Sequence, residues 1–213
     1  MTTHNNRNNR NQAAPPRTLE VITTHLNADF DAMASMVAAK KLYPEALLVF
    51  PGSQERNLRD FFIRSSFYFV DFTRMKQVPL EEIKRLILVD TRQASRIGKF
   101  AEVAASGEVD IHIYDHHPDT DEDVHGSLEV VEEIGSTTAI LTRIIRERGI
   151  SLSPPEATVM ALGIFEDTGS FTFASTTPQD FEAGAFLLSQ GADLNVVSEI
   201  VTRELNAEQV ALL

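Results

Sequence analysis

Short runs of branched apolar residues alternate with longer amphipathic stretches through most of this chain, and that alternation constrains its fold more than any other feature. LEVITT (19–24), ALLVF (46–50), LILVD (86–90) and DIHIYD (110–115) are too short for free-standing helices and rich in residues that favour strands. Strands of this kind separated by helical stretches build βαβ units around a parallel sheet. The expected order is strand LEVITT, helix DAMASMVAAKKLY (31–43), strand ALLVF, a helix through NLRDFFI (57–63), strand FYFV (67–70), helix PLEEIKRL (79–86), strand LILVD, a short helix near KFAEVAA (99–105) and strand DIHIYD. A strand near SLEVV (127–131) and helices beginning at 136, 154, 178 and 194 follow. The predicted fold class is α/β, a doubly wound parallel sheet flanked by helices.

Residues 1–17 do not belong to that pattern. They are Asn-rich, carry Arg7, Arg10 and Arg17, and close on Pro15 and Pro16, so they cannot bury apolar surface and are expected to be a disordered tail. The folded domain is placed at 18–205. Asn206 reads as a cap for one more helix, yet NAEQVALL (206–213) stops while still apolar, which reads as the start of a linker to a following domain.

Composition narrows the chemistry. With 19 Lys+Arg against 31 Asp+Glu the formal net charge is -12, which excludes holding nucleic acid by surface charge alone. A phosphate ligand then needs bound cations or a local basic patch. No cysteine is present, so disulfides, thiolate zinc sites and cysteine nucleophiles are all excluded, and any metal must be held by nitrogen and oxygen. No apolar run approaches the ~20 residues of a membrane span, and no signal-peptide core opens the chain. A soluble, cytoplasmic protein without a membrane partner is expected.

Four segments place acids or histidines where strands and helices end, and in an open parallel sheet the carboxyl ends of the strands share one ligand-binding edge. HLNADFD carries His25, Asp29 and Asp31 between a strand and a helix, where the acids can face neighbouring cations or simply cap the helix. Asp90 ends LILVD, where it can bridge two metals or form a turn. In IHIYDHHPD, Asp115, His116 and His117 stand consecutively at a strand end and Pro118 stops the strand. Neutral imidazole is a good metal ligand, and an adjacent carboxylate can orient the ring. His112 and His125 fit no ligand pattern and read as structural or solvated. In ATVMALGIFEDTGSFTF, Gly169 permits a tight turn that presents Asp167 at a rim. Gly135, Ser136 and Thr137 open a helix whose free N–H groups and hydroxyls can hold a phosphate oxygen or form an ordinary cap.

Together HLNADFD, VDT, DHH, GSTT and EDTG, in that order over roughly residues 19–190, resemble the DHH phosphoesterase superfamily. The resemblance implies that His25, Asp29 and Asp90 bind one metal, and that Asp31, Asp90, His116 and Asp167 bind the other. It implies that His117 contacts the scissile phosphate and that Asp115 is a supporting or site carboxylate. An imidazole–carboxylate set suits Mn²⁺, with Mg²⁺ or Co²⁺ as alternatives. Two cations lower the pKa of a bridging water and neutralise the phosphoryl oxygens under attack. Most members carry a second, C-terminal domain that supplies basic residues for substrate, and nothing after residue 190 resembles it. HLNADFDAMASMVAAKKLYPEALLVFPGSQERNLRDFF and LVDTRQASRIGKF are similar to the N-terminal DHH segment of long bacterial proteins that continue into CBS domains and a poly(A) polymerase or tRNA nucleotidyltransferase module. DHHP, with Pro118, is closer to the phosphodiesterase and nanoRNase branch than to the pyrophosphatases. The implied function is hydrolysis of short single-stranded RNA or small nucleotide phosphodiesters. The alternatives are an inorganic pyrophosphatase or exopolyphosphatase, and a non-catalytic nucleotide- or RNA-binding module. Implied partners are a phosphate-containing small molecule or short RNA and the downstream domains of the same parent chain, with a homodimer left open.

Overall fold

The computed structural model describes residues 18–64 and 70–201. Its central element is a five-stranded sheet in the order β2-β1-β3-β4-β5, formed by β1 (Leu19–Thr23), β2 (Leu47–Leu48), β3 (Ile83–Val89), β4 (Asp110–Asp115) and β5 (Leu128–Val131). Every neighbouring pair is parallel. The register sets Val89 opposite Tyr114 and Thr23 opposite Leu88, so β1, β3 and β4 reach the same edge together.

Residue alternation along the strands explains why both faces are covered. Ile22, Ile87, Val89 and Tyr114 point into one core with α1 (Phe30–Leu42), α4 (Thr137–Glu147) and α5 (Pro154–Asp167). Val21, Leu86, Leu88, Ile111 and Ile113 point into a second core closed by Ile97 and by Phe100 and Val103 of α3 (Phe100–Ala105). Side chains such as Ile87 and Leu86 are fully buried, which stabilises the fold by roughly 1.5–3 kcal/mol each. The helix α2 (Arg56–Arg64) follows β2, and α6 (Pro178–Ser189) packs on α4 and α5; residues 194–201 are also helical.

Helix α1 is buried on nearly every side from Phe30 to Ala39, because it lies between the sheet and α5. Small residues make this possible. A Cβ on Gly163 of α5 would lie 2.5 Å from the Ala34 Cβ and 3.2 Å from the Asp31 Cα, so only glycine lets the two helices approach here. Asp29 caps α1 by accepting from the Ala32 N–H at 2.9 Å, and capping boxes at Ser153 and Thr177, each followed by proline, start α5 and α6.

Two expected elements are corrected. PLEEIKRL is not a helix: only Leu80–Glu82 makes a single 3-10 turn, and β3 begins at Ile83. The reason lies across the sheet, where Arg85 donates to Glu20 on β1 at 2.5 Å and to Asp110 on β4 at 2.8 Å, so a charge that reads as a helix surface is satisfied between strands. ALLVF pairs only at Leu47–Leu48, as an edge strand beside β1. The other strands and helices form where the alternation places them. The tail 1–17, residues 67–69 of the strand FYFV, and the Asn206 cap with segment 206–213 lie outside the described residues. Among the described residues no helix is long and apolar enough to cross a membrane.

Candidate metal centre

Three adjacent strands deliver the centre. His25 follows β1 by two residues, Asp90 directly follows β3, and Asp115 closes β4 with His116 and His117 after it. Asp29 and Asp31 stand at the start of α1, and Asp167 is the last residue of α5. The helices that cover one face of the sheet thus bring acids to the edge where its strands end.

Asp90 lies between two groups. Its Oδ2 is 3.3 Å from His25 Nε2, which is in turn 3.6 Å from Asp29 Oδ2. Its Oδ1 is 3.5 Å from His116 Nε2, which is 3.2 Å from Asp167 Oδ2. One ligand atom from each of His25, Asp29 and Asp90 falls within 4.8 Å of the others, as do those of Asp31, His116 and Asp167, and those of Asp90, His116 and His117. Asp90 adopts φ 60, a left-handed conformation that Asp tolerates at a cost, and its N–H donates to the Tyr114 carbonyl at 2.9 Å.

Both inner histidines are oriented by backbone. The Nδ1–H of His25 donates to Leu26 O at 2.9 Å and that of His116 to Ile134 O at 3.0 Å, which turns each Nε2 toward the carboxylates. Asp31 is held by the N–H groups of Thr137 and Thr138 at 2.8 and 3.1 Å, and the Thr137 hydroxyl donates to Asp90 Oδ1 at 2.9 Å.

The electrostatics are unbalanced. Burial, then Asp31 and the other acids around it, pushes the Asp90 carboxyl well above its usual range. Burial likewise raises Asp31, and burial followed by Asp31 raises Asp167 to about 8. Burial would lower His116, but Asp31 and Asp167 outweigh it and hold it up, whereas burial lowers His25. Among the described residues the ion-pair partners of Asp29, Asp90 and Asp167 are imidazoles only, and Asp167 Oδ2 is buried without a hydrogen bond. Oxygens and imidazole nitrogens in this state fit divalent cations of the Mn²⁺, Mg²⁺ or Co²⁺ kind.

His117 is arranged differently. Its Nδ1–H donates to Asp115 Oδ1 at 2.7 Å, its side chain is partly exposed, and its ring centroid lies 4.4 Å from that of His116. Burial alone would raise Asp115, but the hydrogen bonds and charge of His117 outweigh it and hold the carboxyl below the usual range.

Gly135, Ser136 and Thr137, which in sequence could hold a phosphate oxygen or form an ordinary cap, form a cap: the Ser136 hydroxyl oxygen accepts from the Ala139 N–H at 3.2 Å, and neighbouring donors are engaged within the protein. Gly135 donates to Asp180 Oδ2 at 2.9 Å and the Ser136 hydroxyl contacts Asp180 Oδ1 at 3.5 Å, while Thr137 serves Asp31 and Asp90. The positive end of the helix is met by the protein's own carboxylates. His112 accepts or donates at 2.6 Å with the Tyr43 hydroxyl and lies 3.2 Å from Asp110, outside the centre, and His125 is exposed.

Sequence reasoning missed two residues. Asp180 shows a local capping signal with Thr177, but its reach to Gly135 is a tertiary fact. Arg92, in VDTRQ, drew no reading from the sequence and is 5% exposed beneath the DHH segment.

Fold and centre together define a parallel α/β domain with a carboxylate–imidazole cluster at its strand ends whose donors fit divalent metal. The chain belongs to the DHH family: the model described as "DHH family, N-terminal domain" matches residues 21–164. It is 54% identical over 195 residues to the A-adding tRNA nucleotidyltransferase of Geobacter sulfurreducens, covering 92% of this chain and 22% of that protein. It is 32% identical over 181 residues to the bifunctional oligoribonuclease and PAP phosphatase NrnA of Thermus thermophilus, covering 81% of this chain and 50% of that protein. Among solved structures, an exopolyphosphatase-related protein from Bacteroides fragilis superposes with a TM-score of 0.70 at 21% identity, over 86% of this chain and 56% of that one, which bears on the fold. The chain thus spans about a fifth of the Geobacter protein and half of the Thermus protein.

Proposed function

We propose that this chain is a two-metal phosphoesterase domain that hydrolyses phosphodiester bonds of short RNA or small nucleotides, with Mn²⁺ as its first-choice ion. The observation that carries the reading is Asp90, whose two carboxylate oxygens each face a separate His–carboxylate group. A bridging acid between two such groups is what a dinuclear hydrolytic site requires. His25 and Asp29 would hold one ion with Asp90, and Asp31, His116 and Asp167 would hold the other with Asp90. When bound, the pair supplies a water of lowered pKa and neutralises charge on the phosphoryl oxygens.

The protein's own groups do the rest. Backbone carbonyls take the Nδ1–H of His25 and of His116, so each ring is held with Nε2 aimed inward, where it can ligate an ion. Asp115 holds Nδ1–H of His117, so the opposite ring nitrogen is presented beside Asp90 and His116 to contact a phosphoryl oxygen as its charge grows. The cations also let a chain of net charge -12 accept an anionic substrate. The names of the Geobacter and Thermus relatives both refer to RNA, which supports a nucleotide substrate over a purely inorganic one.

The test is hydrolysis of bis-p-nitrophenyl phosphate and of a short RNA by the Mn²⁺-loaded protein, with a longer chain carrying any downstream segment assayed beside it. Diester cleavage is expected. Inertness of both would defeat the enzymatic reading and leave a nucleotide-binding module. Phosphate release from pyrophosphate without diester cleavage would replace the substrate class with an inorganic one.

A further inference from the structure

We propose that Arg92 is the positioning residue of the centre, fixing both the backbone and the ring of His117 so that one ring nitrogen faces the metal ligands; the role of His117 in this statement rests on the phosphoesterase reading above. Arg92 follows β3 by three residues and is 5% exposed. Its guanidinium is divided among several acceptors on the DHH segment and the loop after it. Nε donates to Asp115 Oδ2 at 3.2 Å and lies 3.4 Å from Asp123 Oδ2; one terminal nitrogen donates to Asp119 Oδ1 at 2.6 Å and the other to the His117 carbonyl at 2.7 Å.

Two of those contacts converge on a single residue. The bond to the carbonyl fixes the His117 backbone. The bond to Asp115 Oδ2 fixes the carboxylate whose other oxygen, Oδ1, receives the His117 Nδ1–H at 2.7 Å and the His116 N–H at 3.0 Å. With one carboxylate oxygen committed to Arg92 and the other to the imidazole, the ring has a defined plane and a defined tautomer.

A residue that only pinned the loop would not need this arrangement. Asp119, Asp123 and the bond from Val124 N–H to Arg92 O at 2.6 Å already tie the loop to Arg92. The link through Asp115 to the ring adds nothing to that task, but it is what orienting a histidine requires. The chemistry also explains arginine. A planar guanidinium donates in several fixed directions at once, whereas an ammonium is a single point on a flexible stem and cannot serve Asp115, Asp119 and the His117 carbonyl together.

The experiment compares wild type with Arg92→Lys, Arg92→Gln, Asp115→Asn, the Arg92→Gln/Asp115→Asn double variant, and Asp119→Asn, whose side chain is 89% exposed. Four quantities are read: the His117 tautomer by two-bond ¹H–¹⁵N NMR in metal-free protein, Mn²⁺ stoichiometry by calorimetry, melting temperature, and kcat and KM on bis-p-nitrophenyl phosphate. Arg92→Lys and Arg92→Gln should lose the single Nδ1–H tautomer and lower kcat by about 10–100-fold, the usual effect of removing a residue that orients a ligand or catalytic group, at unchanged KM and Mn²⁺ stoichiometry. The double variant should be no worse than the poorer single one, because both act through the same ring. Asp119→Asn should stay within about twofold of wild type, as an exposed contact should. An intact His117 tautomer in both Arg92 variants would overturn the proposal, whether or not stability falls, since Arg92 would then be a loop pin only. If Arg92→Gln does not fold, Arg92→Lys and Asp115→Asn still decide it. A wild type that cleaves nothing with Mn²⁺ defeats the phosphoesterase reading alone, because the tautomer is measured without metal or substrate.

Discussion

Strand β4 carries an Asp and a His near each end, and the two ends behave in opposite ways. At its start Asp110 accepts from the Ser127 hydroxyl and from Arg85, while His112 sits between Asp110 and the Tyr43 hydroxyl. The bond from Ser127, then that from Arg85, holds Asp110 below the usual carboxylate range. At its end His116 faces Asp90 and Asp167, among the described residues no guanidinium or ammonium is ion-paired to either acid, and both carboxyls are pushed up. The residue types are the same and lie a few positions apart. What separates a metal centre from a structural network is whether the protein has already supplied the positive charge.

The strongest way to break this contrast is Asp90→Asn. It removes the acid shared by both ligand groups, so Mn²⁺ stoichiometry should fall and diester hydrolysis should drop by at least about 1000-fold, the scale of losing several kcal/mol of transition-state charge stabilisation. The same substitution should raise the melting temperature of the metal-free protein, because it deletes a buried charge that the surrounding acids oppose. A variant that stays active, or that is less stable without metal, would count against the centre as described.

Adding the missing charge should have the converse effect on wild type. Mn²⁺ at 100 times its Kd should stabilise the fold by about 2.7 kcal/mol, visible as a rise in melting temperature that EDTA reverses and that Asp90→Asn lacks. A melting temperature indifferent to divalent cations would show that the acids at this edge are not ligands.

How much of this was legible beforehand depends on the kind of residue. His25, Asp90, Asp115, His116 and Asp167 could be read because each stands where an apolar run stops, and parallel topology carries such ends to one edge. PLEEIKRL could not be read correctly from itself, since Ile83 and Leu86 fit a helical spacing, and the deciding partners of Arg85 are Glu20 and Asp110 on neighbouring strands. The start of α4 stayed open between a phosphate hold and a cap for a related reason: the carboxylates that engage Gly135, Ser136 and Thr137 come from α6 and α1. Arg92 and Asp180 were invisible because a charged residue is usually at the surface, and only tertiary packing shows that these two are buried. Local grammar identifies positions at element ends; it does not report which charges are already satisfied.

A subtler pH effect follows from the unbalanced end. Asp167 has a folded-state pKa of about 8 against an ordinary value of 3.8, so between those values the folded protein binds more protons than the unfolded chain. Stability of the metal-free protein should therefore fall as pH rises through that window. Buried His25 acts in the opposite sense, but only where the unfolded chain protonates its imidazole, below about pH 6.5. From pH 6.5 to 8 the carboxyl and the raised His116 act together, and the metal-free melting temperature should decline. Saturating Mn²⁺ should reverse the slope, since ions and protons compete for the same oxygens.

The smallest effect is expected at the balanced end of β4. Asp110→Asn leaves Arg85 its bond to Glu20, and the Asp110 side chain is 35% exposed, so water takes over much of the lost interaction. The cost should be about 0.5–1 kcal/mol, as for partly exposed ion pairs, read as a small fall in melting temperature near neutral pH. Its pH dependence has the opposite sign to that of Asp167. A carboxyl held below its ordinary value contributes stability above 3.8 and loses it as pH falls through the lower folded-state value, so the gap between variant and wild type should close in acid. Mn²⁺ stoichiometry and kcat should be untouched. If Asp110→Asn weakened metal binding as Asp90→Asn does, the two ends of β4 would be one coupled network, and the separation between satisfied and unsatisfied charge would not be what locates the centre.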